Sequence, residues 1–237
     1  ISGQRPAALD AAEPLGPAYG ALTDWPFVRV VRGEPDALVR RDVAALYAAA
    51  RRPGRFLVAL DASGSMNTVT TDPDLTRFEV AAAAIERAAS RLGRRDELGL
   101  LTFSGRSARE TLPIAPAGDD PVGRVRRAAA AIRPGGDTPL YEAVRRGSAA
   151  LRAGAGDARR DLVVLTDGKD TSGRPPPSRA QTAGVRIFVI AVGDVSCTDA
   201  ALAALARGSG GRCFDAGPDS LQPALAGMFR AVWDTED

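Results

Sequence analysis

One aspartate and two serines stand at alternate positions in Asp61-Ala62-Ser63-Gly64-Ser65, directly after the apolar run Phe56-Leu57-Val58-Ala59-Leu60. A carboxylate and two hydroxyls wrapped around a glycine form a cluster of oxygen donors. Such a cluster suits a hard divalent cation such as Mg²⁺, which prefers oxygen ligands and keeps part of its water. Two later segments carry matching groups. Gly135-Gly136-Asp137-Thr138-Pro139-Leu140 presents a threonine hydroxyl at a turn into a helix, and Asp161-Leu162-Val163-Val164-Leu165-Thr166-Asp167-Gly168 ends a second apolar run in a carboxylate and a glycine. Each group also has a plainer structural role open to it. Asp61 and Ser63 can cap the turn after a strand, and Thr138 can cap the helix that Pro139 opens. Capping alone leaves the recurrence across three segments unexplained.

The elements around these segments predict where they lie. Apolar runs without alternation predict strands buried on both faces, as in a parallel sheet. Open α/β sheets place their ligand sites at the carboxyl ends of such strands. After Phe56–Leu60, helical spacing of Phe78, Ala82, Ile85, Ala89 and Leu92 predicts a helix with one apolar face. A strand is expected over Glu97–Ser104 and a short antiparallel edge strand over Thr111–Ile114, where Pro113 fits an edge. Helices are expected over Pro121–Ile132, from Pro139, from Asp199, and over Ser220–Asp234. Further strands are expected at Asp161–Asp167, Val185–Val192 and Arg212–Phe214, with a proline-rich loop at Arg174–Ser178. This βα alternation predicts an α/β fold: a doubly wound, mostly parallel six-stranded sheet with one short antiparallel edge strand and helices on both faces. Residues 1–53 fall outside the pattern. Their Pro/Gly/Ala-rich start, a strand at Phe27–Val31 and a helix at Asp36–Ala50 read as an amino-terminal arm or the remnant of a preceding module, leaving 54–237 as the domain.

The three motif segments, in this order, resemble the metal-ion-dependent adhesion site of the von Willebrand factor A domain family, and the resemblance extends over roughly residues 54–234. It implies a Rossmann-like fold in which Ser63, Ser65 and Thr138 contact a divalent ion, Mg²⁺ or else Mn²⁺ or Ca²⁺, while Asp61 and Asp167 hold it directly or through water. Asp137 departs from the commoner Gly-Gly-Thr order of the family. The family uses the ion's open position to bind an Asp or Glu carboxylate of a partner protein. Two carboxylates and neutral hydroxyls leave a divalent ion electrophilic enough for that role. Met66, Asn67, Tyr141, Lys169 and Asp170 lie beside the loops and are candidates for partner contact. The alternative for them is local packing of Met66 and Tyr141 and a solvated Lys169.

Composition narrows the function. The chain contains no histidine, which excludes a Ser-His-Asp triad, a Cys-His pair and a His-bound zinc site. A net charge of +2 over 237 residues gives no reason to expect nucleic acid. Lys169 is the only lysine among 31 basic residues, a skew that fits a GC-rich genome better than phosphate recognition. No apolar run approaches the roughly 20 residues that cross a bilayer. Cys197 and Cys213, the only cysteines, flank one expected helix. A disulfide there favours an oxidising compartment, so a secreted or membrane-anchored full-length protein; two buried thiols are the alternative. The expectation is thus a non-enzymatic, ion-dependent protein-binding module. Two alternatives remain: metal-assisted phosphoryl transfer or hydrolysis at the same oxygens, and an intracellular scaffold subunit of a chelatase- or ATPase-type complex.

Overall fold

A computed structural model describes residues 52–154 and 156–217. The expected elements at Phe27–Val31, Asp36–Ala50 and Ser220–Asp234 lie outside these residues. Strand β1 (Gly54–Asp61) pairs in parallel with β2 (Glu97–Ser104) on one side and β4 (Arg159–Thr166) on the other. Strand β5 (Arg186–Val192) extends the parallel set beyond β4, and β6 (Cys213–Ala216) extends it beyond β5. Strand β3 (Ser107–Pro116) joins β2 in antiparallel fashion, so the order is β3-β2-β1-β4-β5-β6. The edge strand is longer than the expected Thr111–Ile114. One of its faces is solvated, and register shifts beside Leu100 interrupt its pairing, so no run of apolar residues marks its full extent.

Alternate residues of each central strand feed two separate cores, which explains the uninterrupted apolar runs. Phe56, Val58 and Leu60 face one side with Val163, Leu165, Phe188 and Ile190. Helices α1 (Arg77–Ala89) and α2 (Pro121–Ala130) close that side through Phe78, Ala81, Ile85 and Val125. Leu57 and Ala59 face the other side with Leu162, Val164, Ile187 and Val189, under α3 (Leu140–Ala153) and, after the one-turn α4 (Arg179–Thr182), α5 (Ala200–Arg207). Helix α1 starts where it does because Thr76 and Glu79 form a reciprocal capping box. Among the described residues, no helix is long and apolar enough to cross a membrane.

Charge is handled differently at the two ends of the sheet. Near the amino ends of β4 and β5, the fully buried Asp161 carboxylate accepts hydrogen bonds from Arg159 Nε at 2.9 Å and Arg186 Nε at 2.8 Å. Two guanidinium groups thus offset the desolvation of one carboxylate. The carboxyl ends of β1 and β4 carry the candidate site.

Cys197 and Cys213 form a disulfide with a Cα–Cα separation of 5.6 Å, tying the loop after β5 to the start of β6 across α5. Strand β6 is only four residues long and sits at the sheet edge, so few ladder bonds hold it. Closing a loop of this length restricts the unfolded chain by about 3 kcal/mol. Replacing both cysteines by serine, or reducing the bond, should lower the unfolding free energy by about that amount in a urea titration while leaving the far-UV circular dichroism of the folded state unchanged. An unchanged midpoint would show that β6 is held by its packing alone.

Candidate functional site

Strand β1 ends in Asp61 and β4 is followed at once by Asp167, so parallel pairing brings two carboxylates to the same end of neighbouring strands. Both are buried, Asp61 at 0% and Asp167 at 4% relative exposure. The chain turns sharply after Asp61 because its Oδ1 accepts the Ser63 amide at 2.8 Å, and a 3-10 turn over Gly64–Asn67 follows. Ser63 Oγ and Ser65 Oγ lie 3.1 Å apart, and Ser65 Oγ donates to Asp167 Oδ1 at 2.7 Å. Four of the five expected ligand side chains are therefore linked directly or through a shared neighbour.

The Thr138 segment is laced to the same loops through backbone. Gly64 N–H donates to Gly136 O at 2.9 Å, Gly135 N–H to Ala62 O at 2.8 Å, and Gly105 N–H to Asp137 O at 2.9 Å. Gly136 is required here: its φ is +77°, and a Cβ would lie 3.0 Å from Gly105 Cα. Thr138 does not cap α3. The cap residue is Pro139, while the Thr138 amide donates to Thr171 Oγ1 at 2.8 Å. The Thr138 residue is 6% exposed, and its hydroxyl has no hydrogen-bond partner among the described residues. It reaches the end of β4, since a Cβ on Gly168 would meet Thr138 Oγ1 at 3.3 Å.

Asp61 differs from Asp161 in its partners. Its Oδ2 accepts the Thr166 hydroxyl at 2.6 Å, so both oxygens are held by neutral donors, and no guanidinium among the described residues reaches it. Burial raises its pKa to about 6, hydrogen bonds from Ser63 and Thr166 pull the other way, and the charge of Asp167 pushes it further up. A buried carboxylate in this state is stabilised by a cation placed nearby. The donor set is two carboxylates and three hydroxyls, all hard oxygens. Among the described residues no group of three or more His, Cys, Asp or Glu side chains is placed to hold a metal ion, so hydroxyls would supply much of any coordination at this site. That composition fits a hard ion such as Mg²⁺ and does not fit zinc or copper.

The five residues expected to meet a partner separate. Met66 is fully buried in the core beside Phe78 and Ile85, so its side chain offers no surface; the 3-10 turn rotates it inward. Asn67 is exposed and donates to Pro134 O at 3.1 Å, and Lys169 is exposed with its amine 2.8 Å from Asp199. Asp170 is half-buried and occupied in holding the loop, accepting from Tyr141 N–H at 2.9 Å and from the Ser172 amide and hydroxyl. Tyr141 packs partly against the core. Asn67 and Lys169 remain as surface groups on the rim.

Three participants escape a motif-based reading. Thr166 supplies the hydroxyl to Asp61, and its place beside Asp167 at a strand end is the available signal. Arg77 Nη1 donates to Asp167 Oδ2 at 2.9 Å, and its Nη2 to Asp194 Oδ2 at 3.1 Å. An arginine in the first turn of a helix opposes the helix dipole, and that local conflict is the mark by which it could be found.

The raised pKa of Asp61 has a defined consequence for stability. The native state keeps this proton up to about pH 6 while the unfolded chain releases it near pH 4, so the native state binds more protons in that window. In chelator-treated protein the group's contribution to stability therefore falls as pH rises from about 4 to about 6. Asp61→Asn keeps the Ser63 bond, and Thr166 can turn its hydroxyl to Gly168 O, already 3.0 Å away, to receive the new amide. Chelated D61N should match wild type near pH 4 and exceed its stability by about 1–3 kcal/mol above pH 6.5, measured by thermal melts across pH. A pH-independent difference would contradict a buried, destabilised carboxylate.

Residues 56–169 match the family model of the von Willebrand factor type A domain. Among solved structures, the fold is similar to a von Willebrand factor type A protein from Catenulispora acidiphila, with a TM-score of 0.62 and 19% identity over 75% of this chain and 42% of that one. It is also similar to an aerotolerance-related membrane protein from Bacteroides fragilis, with a TM-score of 0.57 and 19% identity over 75% of this chain and 97% of the other. The pilus adhesin SpaC from Lactobacillus rhamnosus GG aligns with a TM-score of 0.59 and 14% identity over 77% of this chain and 30% of the adhesin. The chain thus spans less than half of the first and third of these proteins and nearly all of the second. No curated protein matches it. The six-stranded sheet in the order seen here and the family match over residues 56–169, from β1 to the end of β4, give this chain the fold of a von Willebrand factor type A domain.

Proposed function

We propose that the domain is a non-enzymatic protein-binding module that takes a divalent cation, Mg²⁺ in the first instance, at Asp61, Ser63, Ser65, Thr138 and Asp167. The partner presents an Asp or Glu carboxylate to the ion. The observation that carries this reading is Asp61: a fully buried carboxylate with no cationic partner among the described residues, held by an amide and a hydroxyl, in a protein that elsewhere pairs a buried carboxylate with two guanidinium groups. An ion held by two carboxylates and neutral hydroxyls retains positive charge to attract an external carboxylate. Thr138, whose hydroxyl has no partner among the described residues, would complete the inner set, and Asn67 and Lys169 would line the partner's approach. The adhesin among the structural neighbours agrees with an interaction role. The Cys197–Cys213 disulfide supports a setting outside the cytoplasm.

Metal-assisted hydrolysis at the same oxygens is the second reading. Against it stands the lack, among the described residues at the site, of a general base other than the two carboxylates that the ion itself would engage. Calorimetric titration of Mg²⁺ into chelator-stripped protein should give one saturable site, absent in D61N and weakened at least about tenfold in Thr138→Ala, where one inner hydroxyl is lost. The same protein with saturating Mg²⁺ should not turn over p-nitrophenyl phosphate. Turnover that disappears in D61N would favour the hydrolytic reading instead.

A further inference from the structure

Arg77 is the first residue of α1, where the helix dipole disfavours a cation. Its guanidinium is nevertheless fixed there on several sides. The Arg77 side chain is 13% exposed, the Asp167 side chain is fully buried, and Asp194 is 86% exposed. The contact with Asp167 is therefore desolvated and strong, whereas the one with Asp194 is screened by solvent. Gly193, just past β5, provides the bed: its φ is +71°, and a Cβ there would lie 2.6 Å from Arg77 Cζ. Only a glycine leaves room for the guanidinium at this point. The two oxygens of Asp167 are thus divided, Oδ1 on the Ser65 hydroxyl and Oδ2 on Arg77.

We propose that Arg77 is a resident counter-cation of the ion site, which weakens divalent-ion binding and makes occupancy depend on the carboxylate that a partner brings. The inference rests on the ion-site reading above. Two buried carboxylates alone present a charge of −2; the guanidinium reduces this to −1, and a partner carboxylate restores it. Ion and partner then strengthen one another's binding by the same factor. Arg77 acts here through Asp167 and need not touch the ion, so it is a positioning and charge-setting residue.

The test compares Mg²⁺ titrations of wild type, Arg77→Gln and Arg77→Lys, together with melting of the chelated and Mg²⁺-saturated forms. R77Q should bind Mg²⁺ at least about tenfold more tightly than wild type, because one unit of nearby positive charge is gone. R77K should stay within about threefold, since it keeps the charge. Chelated R77Q should melt below wild type and gain more from Mg²⁺, a pattern that mere loss of packing does not produce. Saturable binding by wild type with equal or weaker binding by R77Q would overturn the role of Arg77 and leave the ion site standing. Absence of binding in both would overturn both. Because R77Q can fail to fold without metal, a second measurement uses wild type alone. The Arg77 side-chain Nε–H signal in ¹⁵N NMR, assigned by its loss in R77K, should move along the Mg²⁺ binding isotherm, and a signal indifferent to Mg²⁺ would overturn the inference.

Discussion

Two carboxylates buried at the ends of neighbouring parallel strands set the terms for the rest of the domain. The pairing of β1 with β4 carries Asp61 and Asp167 to the same end of the sheet, where Ser63, Ser65, Thr166 and Arg77 hold them. Asp61 is satisfied by an amide and a hydroxyl, Asp167 by a hydroxyl and a guanidinium. Neutral donors stabilise a buried anion only in part, and the raised pKa of Asp61 registers the remainder. The opposite end of the sheet shows what full compensation looks like in this protein, with two arginines around Asp161. The charge at the carboxyl end is left partly unbalanced, and the ion proposed there is what balances it.

That imbalance depends on rigid support. Alternate residues of the central strands anchor the sheet in two cores, so the strand ends are not free to separate and relieve the repulsion. The turn after Asp61 is tied to the Gly135-Gly136 loop by backbone bonds, and the close approach of Gly136 to Gly105 fixes how far Thr138 can withdraw. At the far edge, the disulfide steadies the short β6, which pairs with β5 just before Gly193 and the bed of Arg77. Site electrostatics and fold stability are therefore one problem: in a preorganised site the charges cannot rearrange.

Much of this was legible in the residues. The unbroken apolar runs at Phe56–Leu60 and Leu162–Leu165 mark strands covered on both faces, and the alternation with amphipathic helices leads to the parallel sheet. The three oxygen-bearing segments stand where an α/β sheet places its ligands, so their convergence follows from topology. Other features were hidden for physical reasons. Strand β3 runs well past Thr111–Ile114 because an edge strand with register shifts needs no apolar pattern to pair. Met66 looks like a rim residue by position, but the 3-10 turn points it into the core. Asp170 stands beside the same loops by position, but three loop-holding bonds occupy its carboxylate. Arg77 and Asp194 lie 117 residues apart and meet only through tertiary structure, so local spacing gives no sign of their pairing.

The most direct measurement is anomalous diffraction from crystals grown with Mn²⁺, an ion of the same oxygen-seeking character whose scattering identifies it. A single strong peak among the side chains of Ser63, Ser65, Thr138 and Asp167, close to the carboxylate of Asp61, is the predicted result. A well-ordered site with no peak at saturating Mn²⁺, or a peak confined to surface carboxylates elsewhere, would contradict the claim that these buried charges exist to hold an ion.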